Sequence, residues 1–129
     1  MLKPAMLAII GLLLAPGPLI SHHNFASEFD AKRPFKVTGT VTTLEWTNPH
    51  AWFYLDVKDD TGTTASWAME MGSPNNLMRV GWKRDSMKAG DLVSVEGFHA
   101  RDWKHRGNAR VVILTRTGQR LFAASSVGK

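Results

Sequence analysis

The sequence predicts a small all-β domain with one short helix, and two features of the 129-residue chain point to it. Residues 35–123 contain several runs in which apolar and polar side chains alternate, the period-two pattern of half-buried strands. Turn residues such as Asp59-Asp60-Thr61-Gly62 separate these runs at short intervals, as they do in small β-barrels and sandwiches. The length of the chain allows one such domain.

Residues 1–21 are predicted to be a signal peptide that precedes the domain. Lys3 supplies a positive charge, and residues 6–15 form an uninterrupted apolar run. Such a run is too short to cross a bilayer core of about 30 Å, but it matches the core of a secretory signal. We therefore expect cleavage after Ser21 and export, with a mature chain that begins at His22. An uncleaved N-terminal anchor is the alternative.

Residues 22–34 are predicted to be an N-terminal arm, because they show no sustained period and end at a proline. The first strand is predicted to begin at Phe35. Its apolar side chains change parity between Val41 and Leu44, which indicates a bulged and strongly bent strand. A bent first strand can serve both halves of a closed barrel.

Four more strands, a short helix and a final short strand complete the predicted order. Three strands, a helix and two further strands are the order of the OB-fold, a small Greek-key barrel. We therefore predict a five-stranded OB-like barrel over residues 35–123 and a polar tail at 124–129. The alternatives are an SH3-like barrel and an open sheet packed by one helix. The remaining strands are predicted at 51–57, 64–71, 92–100, 110–115 and 119–122, and the helix begins at Pro74 with Ser73 as its N-cap.

Composition excludes several chemistries. The chain has no cysteine, which rules out disulfides, thiolate metal sites, iron–sulfur clusters and thiol nucleophiles. Lys and Arg exceed Asp and Glu by 16 to 11, and the excess lies in residues 79–129, which are predicted to present a basic face. Nucleic acid is not an expected partner of an exported protein. Contact with a membrane is expected only through the signal segment.

His22, His23 and His50 are the candidate metal ligands. After cleavage at Ser21 the chain would open with His22, whose α-amine and ring Nδ1 can chelate one ion. His23 or His50 would then complete a nitrogen-rich set, which favours Cu(II) and then Ni(II). We predict a copper-type site on these residues. The alternatives are a flexible arm whose histidines are merely solvated, or a His50 that fixes a turn through hydrogen bonds to the backbone.

A second candidate site is an aromatic and basic surface for a glycan or a periplasmic partner protein. Aromatic residues interleaved with basic ones on an OB-like barrel are typical of surfaces that stack sugar rings or bases. Trp46 and Trp67 fall on predicted core faces, and Trp82 is expected to close the barrel. An ordinary core with a solvated basic face is the alternative. The surface residues that remain are Trp52, Tyr54, Arg101, Trp103, Lys104 and Arg106.

We do not predict an enzyme. The serines of the chain lack the strand–turn–helix elbow of a catalytic nucleophile, and the glycines lie in turns rather than in a phosphate-binding loop. His50 and Asp56 could form a base with its orienting carboxylate, but no nucleophile accompanies them.

Several segments also resemble an uncharacterised family of small exported bacterial proteins of unknown function. The resemblance covers nearly all of the mature chain. It implies export to the periplasm of a Gram-negative bacterium and a single domain, and it implies no activity. It rests on His22-His23-Asn24-Phe25, on Glu45-Trp46-Thr47-Asn48-Pro49-His50-Ala51-Trp52, on Gly72-Ser73-Pro74-Asn75 and on Leu121-Phe122-Ala123.

Overall fold

The structure, a computed structural model, describes residues 25–124. The predicted signal peptide, residues 22–24 of the predicted arm and residues 125–129 of the predicted tail lie outside the described residues. In chain order the elements are α1 (Phe25–Glu28), β1 (Phe29–Glu45), β2 (Trp52–Lys58), β3 (Thr64–Glu70), α2 (Pro74–Arg79), β4 (Leu92–Ala100), β5 (Arg106–Leu114) and β6 (Arg120–Phe122).

Five of the strands close into a ring. β1 pairs antiparallel with both β2 and β4, β2 pairs antiparallel with β3, and β4 pairs antiparallel with β5. A short parallel contact between β3 and β5 completes the ring, and β6 adds to β5. This pairing scheme, with α2 after β3, confirms the predicted OB-like fold.

β1 serves both halves of the ring because it is long and bent. Its residues 34–40 pair with β4, while residues 40–45 pair with β2. The register shifts between Val41 and Thr43, which confirms the bulge predicted from the change of parity.

β1 begins earlier than the sequence predicts. It starts at Phe29 rather than Phe35, so residues 29–34 of the predicted arm belong to this strand. Phe29 is buried and pairs with Ala100, although the register shifts between this pair and the pairing that resumes at Pro34. A proline is tolerated in a strand where the register shifts, as it does here. The sequence pattern alone predicted that the arm ends at Pro34.

β5 also begins earlier than predicted, at Arg106 rather than Arg110. Glycine and polar residues give positions 106–109 the composition of a loop, yet Gly107 pairs with both His99 on β4 and Met69 on β3. A Cβ at Gly107 would overlap the ring of Phe35. The missing side chain therefore lets β5 approach closely enough to close the ring.

The interior of the ring is apolar and closely packed. Buried and more exposed residues alternate along much of β2 and β4, as the period-two pattern predicts. Trp67 is buried in this core and Trp46 packs against it, as predicted. The fully buried side chains include Phe53, Leu55, Met69, Met71, Val93, Val95 and Val112.

α2 begins at Pro74 with Ser73 as its N-cap, as predicted. The Ser73 hydroxyl oxygen accepts a hydrogen bond from the backbone N–H of Asn76 at 3.2 Å. Beyond the helix, the buried Trp82 donates from its indole Nε1 to the carbonyl oxygen of Phe122 at 2.8 Å, which ties this segment to β6. Within residues 25–124, no helix is long and apolar enough to span a bilayer.

Candidate functional site

Two buried polar side chains mark one face of the barrel. Among the described residues, Glu70 and Asn108 are the polar or charged residues that are buried, each with 1% exposure. They lie directly opposite each other in the parallel pairing of β3 with β5. Burying a carboxylate is costly unless other groups compensate its charge, so such groups are concentrated at functional sites.

His50 lies beside Glu70. Its ring Nδ1 is 2.9 Å from the carbonyl oxygen of Met71 and 3.5 Å from Oε1 of Glu70. A carbonyl oxygen can only accept, so Nδ1 carries a proton and the lone pair of the neutral ring lies on Nε2. This arrangement is typical of histidines that bind metals. We call His50, Glu70 and Asn108 the His50 cluster.

Backbone hydrogen bonds hold His50 at the end of β3. The N–H of Ala51 donates to the carbonyl oxygen of Gly72 at 3.0 Å, and the N–H of Met71 donates to the carbonyl oxygen of Ala51 at 2.9 Å. The Thr47 hydroxyl lies 3.4 Å from the carbonyl oxygen of His50. The turn before β2 is therefore fixed against the strand that carries Glu70.

The start of the described chain packs against the same row of paired strand residues that contains Glu70 of the His50 cluster. The ring of Phe25 in α1 lies 6.0 Å from the ring of Phe98 and 5.4 Å from the ring of Phe29. The described chain therefore begins packed against the row of residues that contains Glu70. That row runs across β2, β3, β5 and β4 through Trp52, Glu70, Asn108 and Phe98.

Arg101, predicted to belong to the ligand surface, makes hydrogen bonds to α1. Its backbone N–H donates to the carbonyl oxygen of Glu28 at 2.8 Å, and its side-chain Nε donates to the carbonyl oxygen of Ala26 at 2.9 Å. Its guanidinium lies 3.7 Å from Asp30. These contacts attach α1 to the loop between β4 and β5.

Three of the predicted ligand-surface residues come together in a second site. Trp103 is 64% exposed. Tyr54 and Arg106 lie on either side of Ala68, in the row next to that of Glu70. We call this site the Trp103 cleft. It has a volume of about 350 Å³ and is lined by Tyr54, Ser66, Ala68, Trp103, His105 and Arg106.

Charged and hydrogen-bonding groups lie at both sides of the Trp103 cleft. Arg106 donates to Asp102 at 2.7 Å, and this hydrogen bond lowers the pKa of Asp102. The Arg106 guanidinium also lies over the ring of Phe29, 5.6 Å from its centre. The hydroxyl of Tyr54 is 3.5 Å from Oε2 of Glu45, and burial, followed by the Glu45 charge, raises the pKa of Tyr54.

Trp52 and Lys104 lie outside the Trp103 cleft. Trp52 is half-buried and pairs with Glu70 in the neighbouring row. Lys104 lines a separate groove of about 540 Å³ whose lining also includes Trp67 and His105. The predicted ligand surface is therefore divided among the Trp103 cleft, the adjacent groove, the row of the His50 cluster and the contacts that hold α1.

The predicted metal ligands His22 and His23 lie outside the described residues. Within residues 25–124, no group of three or more His, Asp or Glu side chains could hold a metal ion. Of the predicted set, the structure describes His50. The carboxylate that it places beside this histidine belongs to Glu70, whereas the sequence pointed to Asp56 as the partner.

A third feature is an aromatic cluster around Trp67. The rings of His99 and His105 lie 5.5 Å and 5.3 Å from the ring of Trp67, and the ring of Phe35 lies 5.3 Å from that of His99. Nδ1 of His99 is buried and has no hydrogen-bond partner among the described residues. Burial, reinforced by the charge of Arg33, lowers the pKa of His99.

The structure is that of a small OB-like protein. The His50 cluster and the Trp103 cleft lie side by side on the face formed by β2, β3 and β5. A family model matches residues 11–109, so the chain belongs to that family, which is described as a family of unknown function, DUF6152. This result confirms the coarser part of the predicted resemblance, a family without an established activity. A comparison with curated proteins found none that matches the chain.

Proposed function

We propose that the protein is an exported periplasmic binding protein that holds a copper-type ion through His50, His22 and His23. The observation that carries the proposal is the 2.9 Å contact of His50 Nδ1 with the carbonyl oxygen of Met71, next to the buried Glu70. This contact puts the lone pair of the neutral ring on Nε2, the nitrogen that would bind the ion. Glu70 orients the ring from behind.

The proposal requires the segment that begins at His22 to reach from Phe25 to the neighbourhood of Glu70 and His50. Phe25 packs on Phe98, and two strand spacings of about 4.8 Å each separate Phe98 from Glu70. The chain from His22 to Phe25 reaches about 10 Å when it is extended. The extended length of residues 22–25 is therefore about equal to the spacing between Phe98 and Glu70, the carboxylate beside His50.

The ligand set favours copper among the divalent ions. An α-amine and imidazole nitrogens form the planar, nitrogen-rich set that suits Cu(II) and then Ni(II). The chain offers no thiolate, so soft sulfur ligation by cysteine does not compete. The α-amine belongs to His22 only when the signal peptide has been removed, so the site depends on export and cleavage.

Titration with Cu(II) tests the proposed site. Three samples are compared: the chain that begins at His22, the same chain with one extra residue before His22, and His50→Ala. We expect the extended chain and His50→Ala to bind Cu(II) at least about tenfold more weakly, because each loses one nitrogen ligand. His105→Ala removes a histidine outside the proposed site and is the matched control. Equal affinity in all samples would contradict the proposal.

Intact-mass measurement tests the proposed location separately. Protein recovered from the periplasmic fraction should have the mass of a chain that begins at His22. A mass that retains residues 1–21 would contradict cleavage, and it would remove the α-amine from the ligand set.

A second candidate function is that of a metal-free accessory module that binds a glycan or docks onto a periplasmic partner protein. The 64% exposure of Trp103 beside a cleft favours it, because large exposed aromatic side chains are concentrated at binding surfaces. Retention on immobilised polysaccharides tests glycan binding, with Trp103→Ala expected to elute earlier. Equal elution of the two proteins would contradict a glycan role for Trp103.

A further inference from the structure

We infer that the Trp103 cleft binds a single sugar ring in its pyranose form. The inference deepens the second candidate function by naming the ligand class and the residues that select it. It does not require a metal ion at His50, so the two proposals can fail independently.

The floor of the Trp103 cleft is formed by a small residue, Ala68, which lies between the larger side chains of Tyr54 and Arg106. Ala68 pairs with Tyr54 on one side and with Arg106 on the other. Neighbouring strands are about 4.8 Å apart, so the backbones that carry Tyr54 and Arg106 are about 10 Å apart. Ser66, the next residue of β3 on the same face, is also small. The small side chains of Ala68 and Ser66 leave room between these two larger side chains, and the cleft volume of about 350 Å³ suits one six-membered ring with its substituents.

Two aromatic side chains supply stacking surfaces for such a ring. Tyr54 and Trp103 both line the cleft, and exposed aromatic faces stack on the flat faces of ring ligands. The loop that carries Trp103 is anchored, because the N–H of Ala68 donates to the carbonyl oxygen of His105 at 2.9 Å. An anchored loop loses little conformational freedom when a ligand binds.

The charges around the cleft fit a neutral ligand with hydroxyl groups. The Arg106 guanidinium is already paired with the Asp102 carboxylate, and Glu45 lies beside the Tyr54 hydroxyl. Sugar hydroxyls can donate to these carboxylates and accept from the guanidinium. A nucleic acid would need cations that remain available for its phosphates, and the pairing of Arg106 with Asp102 compensates the cation of this cleft.

The bound ring would lie next to the His50 cluster. Ala68 and Glu70 are consecutive residues on the same face of β3, about 7 Å apart. Trp52 pairs with Glu70 and lies two residues before Tyr54 on the same face of β2, so two aromatic side chains follow each other along this strand.

Calorimetric titration with neutral oligosaccharides tests the inference. The probes are hexamers of β-1,4-linked glucose and N-acetylglucosamine together with oligomers of mannose and galactose, and single-stranded oligothymidylate is titrated in parallel. We expect at least one oligosaccharide to bind and the oligonucleotide not to bind. Failure of every oligosaccharide, or tighter binding of the oligonucleotide, would overturn the inference.

Variants locate the binding. Trp103→Ala removes a stacking surface, and Ala68→Leu fills the floor; we expect each to weaken binding at least about tenfold. Phe122→Ala, which removes an aromatic side chain of similar exposure (62%) on β6, is the matched control and should bind normally. Circular dichroism tests whether Ala68→Leu is folded. If Ala68→Leu is unfolded, the sugar affinity of Trp103→Ala alone tests the inference. Unchanged affinity in Trp103→Ala would overturn the inference.

His50→Ala separates the two proposals. It should bind the oligosaccharide with the wild-type affinity while its affinity for Cu(II) falls. Loss of sugar binding in His50→Ala would overturn the placement of the ring in the Trp103 cleft, and normal Cu(II) binding by this variant would contradict the metal site alone.

Discussion

Glu70 lies directly opposite Asn108 at the place where β3 and β5 close the ring. The whole parallel contact consists of the pairs Ala68–Arg106, Met69–Gly107 and Glu70–Asn108. Residues that close the ring thus belong to both candidate sites: Glu70 and Asn108 to the His50 cluster, and Ala68 and Arg106 to the Trp103 cleft. The strand pairing therefore sets the distance between Glu70 of the His50 cluster and Ala68 at the floor of the Trp103 cleft.

Glu70→Gln is predicted to weaken Cu(II) binding while leaving the fold intact. Glutamine keeps the size of the side chain and its ability to form hydrogen bonds, but it removes the charge beside His50. Losing such an orienting partner lowers metal affinity by about tenfold to a hundredfold. Cu(II) titration and thermal unfolding measure the two effects.

Glu45→Gln is the matched control for this prediction. Glu45 is an exposed carboxylate near the Tyr54 hydroxyl, and its neutralisation should leave Cu(II) affinity unchanged. Equal effects of the two substitutions would mean that the metal responds to the net charge of the protein rather than to the group behind His50.

The stability of the protein is predicted to fall as the pH drops through the ordinary range of histidine. The folded state lowers the pKa of His99, so below about pH 6.5 the unfolded chain binds a proton that the folded chain resists. His99→Phe preserves a ring between Phe35 and Trp67 but cannot titrate. Its free energy of unfolding, measured in urea between about pH 8 and pH 5, should decline less than that of the wild type.

The groups that face His99 define the control for this experiment. Arg33 and His105 both disfavour its protonation, whereas a hydrogen bond to the Lys104 carbonyl favours it. His105→Phe should retain the part of the pH dependence that belongs to His99. A His99→Phe variant with the full wild-type pH dependence would show that other groups cause it.

Local patterns were sufficient to predict most of the fold. The alternation of β4 gave bounds of 92–100 that agree with the structure, and Ser73-Pro74 correctly marked the start of α2. The parity change between Val41 and Leu44 correctly indicated a bulge in β1, which lies between Val41 and Thr43. Each of these signals depends on residues that are close together in the sequence.

Glu70 shows why the site was harder to predict. In β3 the alternation assigns Trp67 and Met69 to the core, so Glu70 reads as a solvent-facing residue. It is buried because β5 and the turn that carries His50 cover it, and both contacts join residues that are distant in the sequence. Arg101 illustrates the same limit, since its contacts with α1 are also non-local.

Gly97→Ala is predicted to destabilise the protein by at least about 2 kcal/mol. A Cβ at Gly97 would overlap the backbone carbonyl oxygen of Asn108 and lie 3.0 Å from the ring of Phe35. A backbone atom in the closing strand cannot move aside without disturbing the ring. Urea unfolding measures the loss.

Gly118→Ala serves as the comparison for Gly97→Ala. Gly118 has a positive φ of 73° but open space around its Cα, so alanine there should cost only about 1 kcal/mol of backbone strain. If the two substitutions cost the same, the close approach of β4 and β5 at Gly97 is not a constraint on stability.

Phe25→Ala is predicted to weaken Cu(II) binding although Phe25 is not a ligand. Its half-buried ring packs on Phe29 and Phe98, which fixes the start of the described chain, and the proposed ligand His22 is three residues before it in the sequence. Partial burial of such a ring contributes about 1 kcal/mol, and losing it should reduce affinity roughly fivefold. Cu(II) titration of the chain that begins at His22 measures the change.

Two further variants distinguish anchoring of the arm from a general loss of stability. Phe25→Leu restores most of the apolar contact and should recover most of the affinity. Phe122→Ala removes an exposed aromatic side chain from β6, outside the row that contains Glu70, and should leave the affinity unchanged. If Phe25→Ala binds Cu(II) as tightly as the wild type, docking of Phe25 does not position His22, and the α-amine must reach His50 without help from this contact.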